Sequence, residues 1–158
     1  MRAVRTLVVA ALALVMVQLG GPAAFAQSRE IFTAGQPQDG TSLAIGGYDP
    51  VTYHSINQAV PGTGQFRVSW KGAEWRFSSL QNRDLFVANP ERYAPQYGGW
   101  CAFALASGAK SPSDPTIFDV VGGRLYLNQS PGTQNNWRRA RDSMILRGDQ
   151  NWLRIAQQ

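Results

Sequence analysis

The sequence predicts an α+β fold, a small, mostly antiparallel sheet built from β-hairpins with helices packed on it. Three observations carry that prediction. The stretch "FRVSWKGAEWRF" alternates on either side of Lys71-Gly72, with Phe66, Val68 and Trp70 on one face and Trp75 and Phe77 on the returning one. The stretch "FDVVGGRLYLN" turns in the same way at Gly122-Gly123. Each hairpin then runs directly into a segment with helix-start signals.

Taken in order, residues 27–45 have little periodicity and many Gly, Pro, Gln and Ser residues, and read as a mobile arm. The domain proper is expected over residues 46–158. Asp49-Pro50 marks a turn, Val51-Thr52-Tyr53 suits a short strand, and "NQAVPGTG" is a loop. After the first hairpin, Ser78 and Gln81 have capping-box spacing, and Asn89-Pro90 stops the helix. "AFALAS" predicts a short helix ending near Gly108. After the second hairpin, Ser130-Pro131 supplies a cap and a first-turn proline. That helix is expected to run to Gly148 as its C-cap, with Asp149 capping a tail that docks through Trp152, Leu153 and Ile155. A hairpin-then-helix unit thus occurs twice, in pattern rather than in residue identity.

The first 26 residues set the compartment. Two arginines in "MRAVR" precede the apolar run "TLVVAALALVMVQLG", and Ala24-Phe25-Ala26 has the small–x–small form of a signal-peptidase site. Residues 1–26 read as a secretory signal peptide, which implies a periplasmic or secreted protein with no membrane span in the mature chain. Cleavage removes two of the 15 basic residues and none of the 10 acidic ones, so the mature chain is only mildly basic. With no Lys/Arg cluster, nucleic acid is not an expected partner. A single cysteine, Cys101, allows no internal disulfide, so packing, a ligand or a partner must do the work of a staple.

The segments "GYDPVTYH", "KGAEWRFSSLQNRDLFVANPERYAPQYGGWCAFA" and "VGGRLYLN" resemble the exported stand-alone branch of the YHS-domain family, over about Gly46–Leu153. The wider family includes modules of heavy-metal-transporting ATPases, metal-responsive proteins and monooxygenases. The resemblance therefore implies a YHS-like fold and an association with soft metals such as copper; the cofactor itself is left open, copper or zinc being the metals that Cys101 and His54 would suit. The cysteines common in those modules fall near Thr52 and at Ser78, and neither position is a thiol here.

The candidate site residues cluster around "YDPVTYH" and "YGGWC". Cys101 precedes a helix, where free N–H groups favour a thiolate suited to ligating a metal or to nucleophilic chemistry; it is equally suited to filling a tight core. His54, the only histidine, is a metal ligand or base for that thiol, or a plain surface residue. Asp49 either fixes its turn or faces the same pocket. Tyr53, Tyr97 and Trp100, with Tyr48, either wall a ligand cavity or close the core. The "WRRAR" arginines, Arg138, Arg139 and Arg141, read as a solvated helix face. No phosphate loop, dinucleotide fingerprint, zinc-protease helix or nucleophile elbow is present. The leading expectation is an exported binding or accessory module that holds a metal ion or small ligand at Cys101 and His54, with Asp49, Tyr53, Tyr97 and Trp100 around it. The alternatives are a small thiol-dependent enzyme using Cys101 and His54, and a structural or protein-interaction domain with an inert, buried Cys101.

Overall fold

A computed structural model describes residues 30–33 and 42–156. The predicted signal peptide and much of the predicted arm lie outside the described residues. Among the described residues, no helix is long and apolar enough to cross a membrane.

Both hairpins form as their turns require. Strands β1 (Thr63–Trp70) and β2 (Ala73–Phe77) pair antiparallel around Lys71-Gly72, whose φ values of 49° and 73° are those of a tight hairpin turn. Strands β3 (Asp114–Val121) and β4 (Arg124–Asn128) do the same around Gly122-Gly123, at φ 58° and 75°. The two hairpins stay separate, as two two-stranded sheets rather than one. The outer edge of β2 is covered by the lead-in: Glu74 N–H donates to the Ser42 carbonyl and Ala44 N–H to the Glu74 carbonyl, both at 2.9 Å. Ile31, Phe32, Leu43, Ala44 and Ile45 are buried, so these parts of the stretch read as a mobile arm belong to the packed structure.

The segment read as a strand at Val51–Tyr53 is instead helix α1 (Pro50–Ser55). Asp49 caps it by accepting the Val51 N–H at 2.9 Å, and Pro50 stands at its first position. That local pairing outweighs the weak β preference of Val51 and Thr52. Helix α2 (Leu80–Ala88) starts one residue later than the capping-box reading placed it, with Ser79 as its cap. Ser78 is unavailable because its N–H and hydroxyl both donate to Asp49. Asn89 ends α2 and caps the single turn α3 (Pro90–Tyr93), accepting the Arg92 N–H at 3.3 Å. Helix α4 (Ala102–Ala106) follows Cys101.

The last helical stretch differs more. Helix α5 (Pro131–Arg139) has the expected Ser130 cap, reinforced by Thr133, but it ends at Ala140. Helix α6 (Arg141–Ile155) then runs straight through Gly148. A Cβ at Gly148 would lie 2.6 Å from the Tyr97 hydroxyl, so this glycine serves a close approach rather than a helix end. Asp149 is consequently inside α6 and caps nothing. Ile155 is buried and Trp152 half-buried, whereas Leu153 is 72% exposed and does not dock.

The repeated pattern extends beyond the hairpins to the turn, cap and helix around each of them. At one constant spacing, Thr63 corresponds to Asp114, Arg67 to Phe118, Lys71-Gly72 to Gly122-Gly123, Phe77 to Asn128 and the cap Ser79 to Ser130. Both hairpins break register at the same point, between Thr63 and Arg67 and between Asp114 and Phe118. Upstream of each lies a turn of three positive-φ residues, Ile45-Gly46-Gly47 and Tyr97-Gly98-Gly99, then an aromatic residue, then the cap of a short helix. Those caps are Asp49 and Cys101. The single buried residue of α2, Phe86, packs its ring 5.0 Å from Trp75; that of α5, Trp137, packs 5.1 Å from Tyr126, the counterpart of Trp75. The buried side chains form two clusters: one holds Trp75, Phe77 and Phe86 together with Leu125 and Leu127 of the second hairpin, and the other holds Tyr126, Trp137 and Leu105. The protein is two like units in tandem.

Candidate functional site

Cys101 lies in the interior, 1% exposed. Its backbone N–H donates to the Ser111 carbonyl at 3.0 Å, and its thiol to Asn128 Oδ1 at 3.7 Å. The same amide oxygen accepts the Phe103 N–H at 3.2 Å, which makes Asn128 the cap of α4 in place of the Cys101 side chain. The sulfur is thus a hydrogen-bond donor in a closed corner. Asn128 is fully buried, and its Nδ2 has no partner among the described residues.

Asp49 is also wholly buried, and its carboxylate is fully used. Oδ1 accepts the Val51 N–H at 2.9 Å, while Oδ2 accepts the Ser78 N–H at 2.8 Å, the Ser78 hydroxyl at 2.7 Å and Asn82 Nδ2 at 2.7 Å. Four donors on one carboxylate compensate for taking its charge out of water. Asp49 therefore ties α1 to the start of α2. It shares no hydrogen-bond partner with Cys101.

The other candidates are similarly placed. His54 packs edge-on against Tyr93, with ring centroids 5.6 Å apart. Burial pushes its pKa below the ordinary value; a hydrogen bond to the Tyr93 backbone opposes that, and Arg92 adds to it. Its Nε2 is buried without a partner among the described residues. Tyr53 is buried and donates to the Pro115 carbonyl at 2.9 Å, joining the first unit to the second, and burial raises its pKa strongly. Trp100 lies against Phe32, ring centroids 5.0 Å apart, with its indole nitrogen buried and unpartnered among the described residues. Among the described residues no group of three or more His, Cys, Asp and Glu side chains is placed to hold a metal. With the Cys101 thiol turned to Asn128 and the Asp49 oxygens occupied, these residues do not fit a copper or zinc centre.

Tyr97, one of the predicted site residues, lines a cavity. A cleft of about 380 Å³ lies where the two units meet. It is lined by the Ala94–Gly98 junction, the tip of the first hairpin, α3 and α6. On one side, Lys71 Nζ lies 2.9 Å from Glu30 and 3.2 Å from Glu91, and 4.7 Å above the Trp70 ring. Partial burial pulls the Lys71 pKa down, but the two carboxylate hydrogen bonds prevail and raise it. On the other side, Arg124 grips both oxygens of Asp149, at 2.7 and 3.1 Å, and donates twice to Gln96 Oε1. The Tyr97 hydroxyl is 2.9 Å from Asp149; burial first, and this hydrogen bond second, raise its pKa.

Sequence reasoning missed Ser78 and Asn82 as partners of Asp49, and Asn128 as the partner of Cys101. It also missed the cleft charges Glu30, Lys71, Glu91, Arg124 and Asp149. The one signal within reach was Asn128, a polar residue closing the apolar strand "LYL".

No curated protein and no solved structure matches the chain. The family comparison falls within the first of the two units and just past it, over less of the chain than the resemblance spans: residues 51–97, from α1 to Tyr97, match the YHS domain.

Proposed function

We propose that this protein is an exported, non-catalytic binding domain in which Cys101 is a structural thiol. The observation that carries the reading is the burial of Cys101 with its S–H directed at Asn128, at the place where the first unit puts the capping residue Asp49. A nucleophile or soft-metal ligand needs an accessible thiolate and companions within bonding distance. Asp49 is fully hydrogen-bonded, His54 packs against Tyr93, and the cysteine positions of the metal-handling modules that the sequence resembles fall near Thr52 and at Ser78, neither of them a thiol. Export rests on the leader-like residues 1–26. What is left for function is surface recognition, and the inter-unit cleft is the place for it.

The test is titration of the mature protein with Cu(I) and with Zn(II), followed by calorimetry, for the natural chain and Cys101→Ser. The reading predicts no stoichiometric uptake that disappears with the thiol. One tightly held metal ion per chain, lost in Cys101→Ser, would restore the metal-site reading.

A further inference from the structure

Resting on that reading, we propose that the inter-unit cleft binds an amphipathic cation: an ammonium or guanidinium carried on an apolar stem. The seat for such a group is already filled from within. Lys71 places its ammonium over the Trp70 ring and between Glu30 and Glu91, the combination of aromatic face and carboxylates that holds organic cations. Two carboxylates serve this one ammonium. Across the cleft, Arg124 and Asp149 are matched one to one. The lining carboxylates Glu30, Glu91 and Asp149 therefore outnumber the cations Lys71 and Arg124, in a protein whose net charge is +5. An added anion would have to break an existing pair, whereas an added cation meets two carboxylates that share one ammonium.

The apolar stem has its own place. Leu146 and Leu153 of α6 border the cleft at 60% and 72% exposure, beside the ring of Trp152. Large apolar side chains so exposed around a cleft with charged walls suit a ligand that is charged at one end only. The second unit offers no equivalent seat. Its hairpin tip is Gly122-Gly123, and the counterpart of Trp70 is Val121. The site is thus a property of the first hairpin tip facing α6.

Lys71 is the resident competitor and is readily moved, being a flexible chain at an exposed hairpin tip. Its removal should open the seat. Lys71→Asn suits the test because asparagine tolerates the left-handed backbone at φ 49° and is too short to reach both carboxylates. The probes are hexylammonium, the blocked dipeptide acetyl-leucyl-lysine amide, and hexanoate, each titrated into the mature protein and followed by tryptophan fluorescence and calorimetry. Binding of hexylammonium or the lysine peptide but not hexanoate, tightened about tenfold by Lys71→Asn and weakened about tenfold by Glu91→Gln, supports the proposal. The tighter of the two cations tells whether the source is a free amine or a basic side chain of a peptide. No binding of either cation, equal binding of hexanoate, or weaker cation binding in Lys71→Asn would overturn it. Glu91 is exposed on α3 and its replacement removes no buried group, so that arm stands even if Lys71→Asn perturbs the turn. If Cys101 takes up no metal and neither cation binds, the cleft proposal fails alone and the structural role of the thiol stands.

Discussion

Asp49 and Cys101 hold the same place in the two units of the fold, each as the cap residue of a short helix that follows a left-handed Gly-Gly turn and an aromatic residue. Their chemistry differs. In the first unit the side chain of Asp49 caps α1 directly and collects Ser78 and Asn82. In the second, the counterparts of Ser78 and Asn82 are Gln129, which is exposed, and Thr133, which pairs with Ser130. Capping of α4 passes to Asn128. A carboxylate at position 101 would have lost its donors, and a small, weakly polar thiol fits the corner that remains.

This relationship predicts unequal costs for the two residues. Asp49→Ala should destabilise by about 3 kcal/mol, because it removes a helix cap and leaves buried donors of Ser78 and Asn82 unpaired. Asp49→Asn should be nearly as damaging, since it turns an amide N–H₂ toward existing donors. Cys101→Ala should cost only about 1 kcal/mol. Urea unfolding of the three variants checks the order; a Cys101→Ala cost equal to that of Asp49→Ala would contradict it.

Asn128→Ala should cost about 1–3 kcal/mol, more than Cys101→Ala, because the Phe103 N–H loses its capping oxygen as well as the thiol its acceptor. Differential unfolding of the single and double variants measures the coupling. Full additivity would mean that the thiol and the amide do not interact.

Gly148→Ala separates a close-approach glycine from a helix-ending one. Alanine gains about 1 kcal/mol in helix propensity, yet its Cβ would lie 2.6 Å from the Tyr97 hydroxyl and 2.8 Å from Cζ. Net destabilisation of about 1–3 kcal/mol is expected from the clash. A more stable Gly148→Ala protein would show that Tyr97 yields freely.

Acidification should weaken the fold through His54. Its folded pKa lies below the unfolded value of 6.5, chiefly because of burial against Tyr93, with Arg92 facing it. The unfolded chain therefore takes up the proton first. The stability His54 contributes is complete above pH 6.5 and is lost as the pH falls through the folded pKa. Unfolding midpoints between pH 7.5 and 5 should fall in the natural chain, and that part of the fall should vanish in His54→Phe. An identical slope in both would remove His54 from the account.

Much of the fold was legible because its signals are local. Lys71-Gly72 and Gly122-Gly123 dictate hairpins wherever they stand between alternating strands, and Ser130-Pro131 starts a helix unaided. Signals set by distant partners misled. Val51–Tyr53 reads as strand until Asp49 is seen to cap it, and Gly148 reads as a stop until Tyr97 is seen against it. The site was less legible still. Glu30, Lys71 and Glu91 come from three segments, and nothing in the spacing of these residues announces that they share one ammonium. Cys101 and Asp49 drew attention through their motifs, but burial and hydrogen-bond partners decide their roles, and neither is written locally.

The most direct test of the central claim is the rate at which a thiol reagent labels Cys101 across pH and urea concentration. The account predicts that the folded protein is labelled only as fast as it unfolds, with labelling rising along the urea transition. Rapid labelling of folded protein, with a midpoint well below about 8.5, would mean an accessible thiolate and would contradict it.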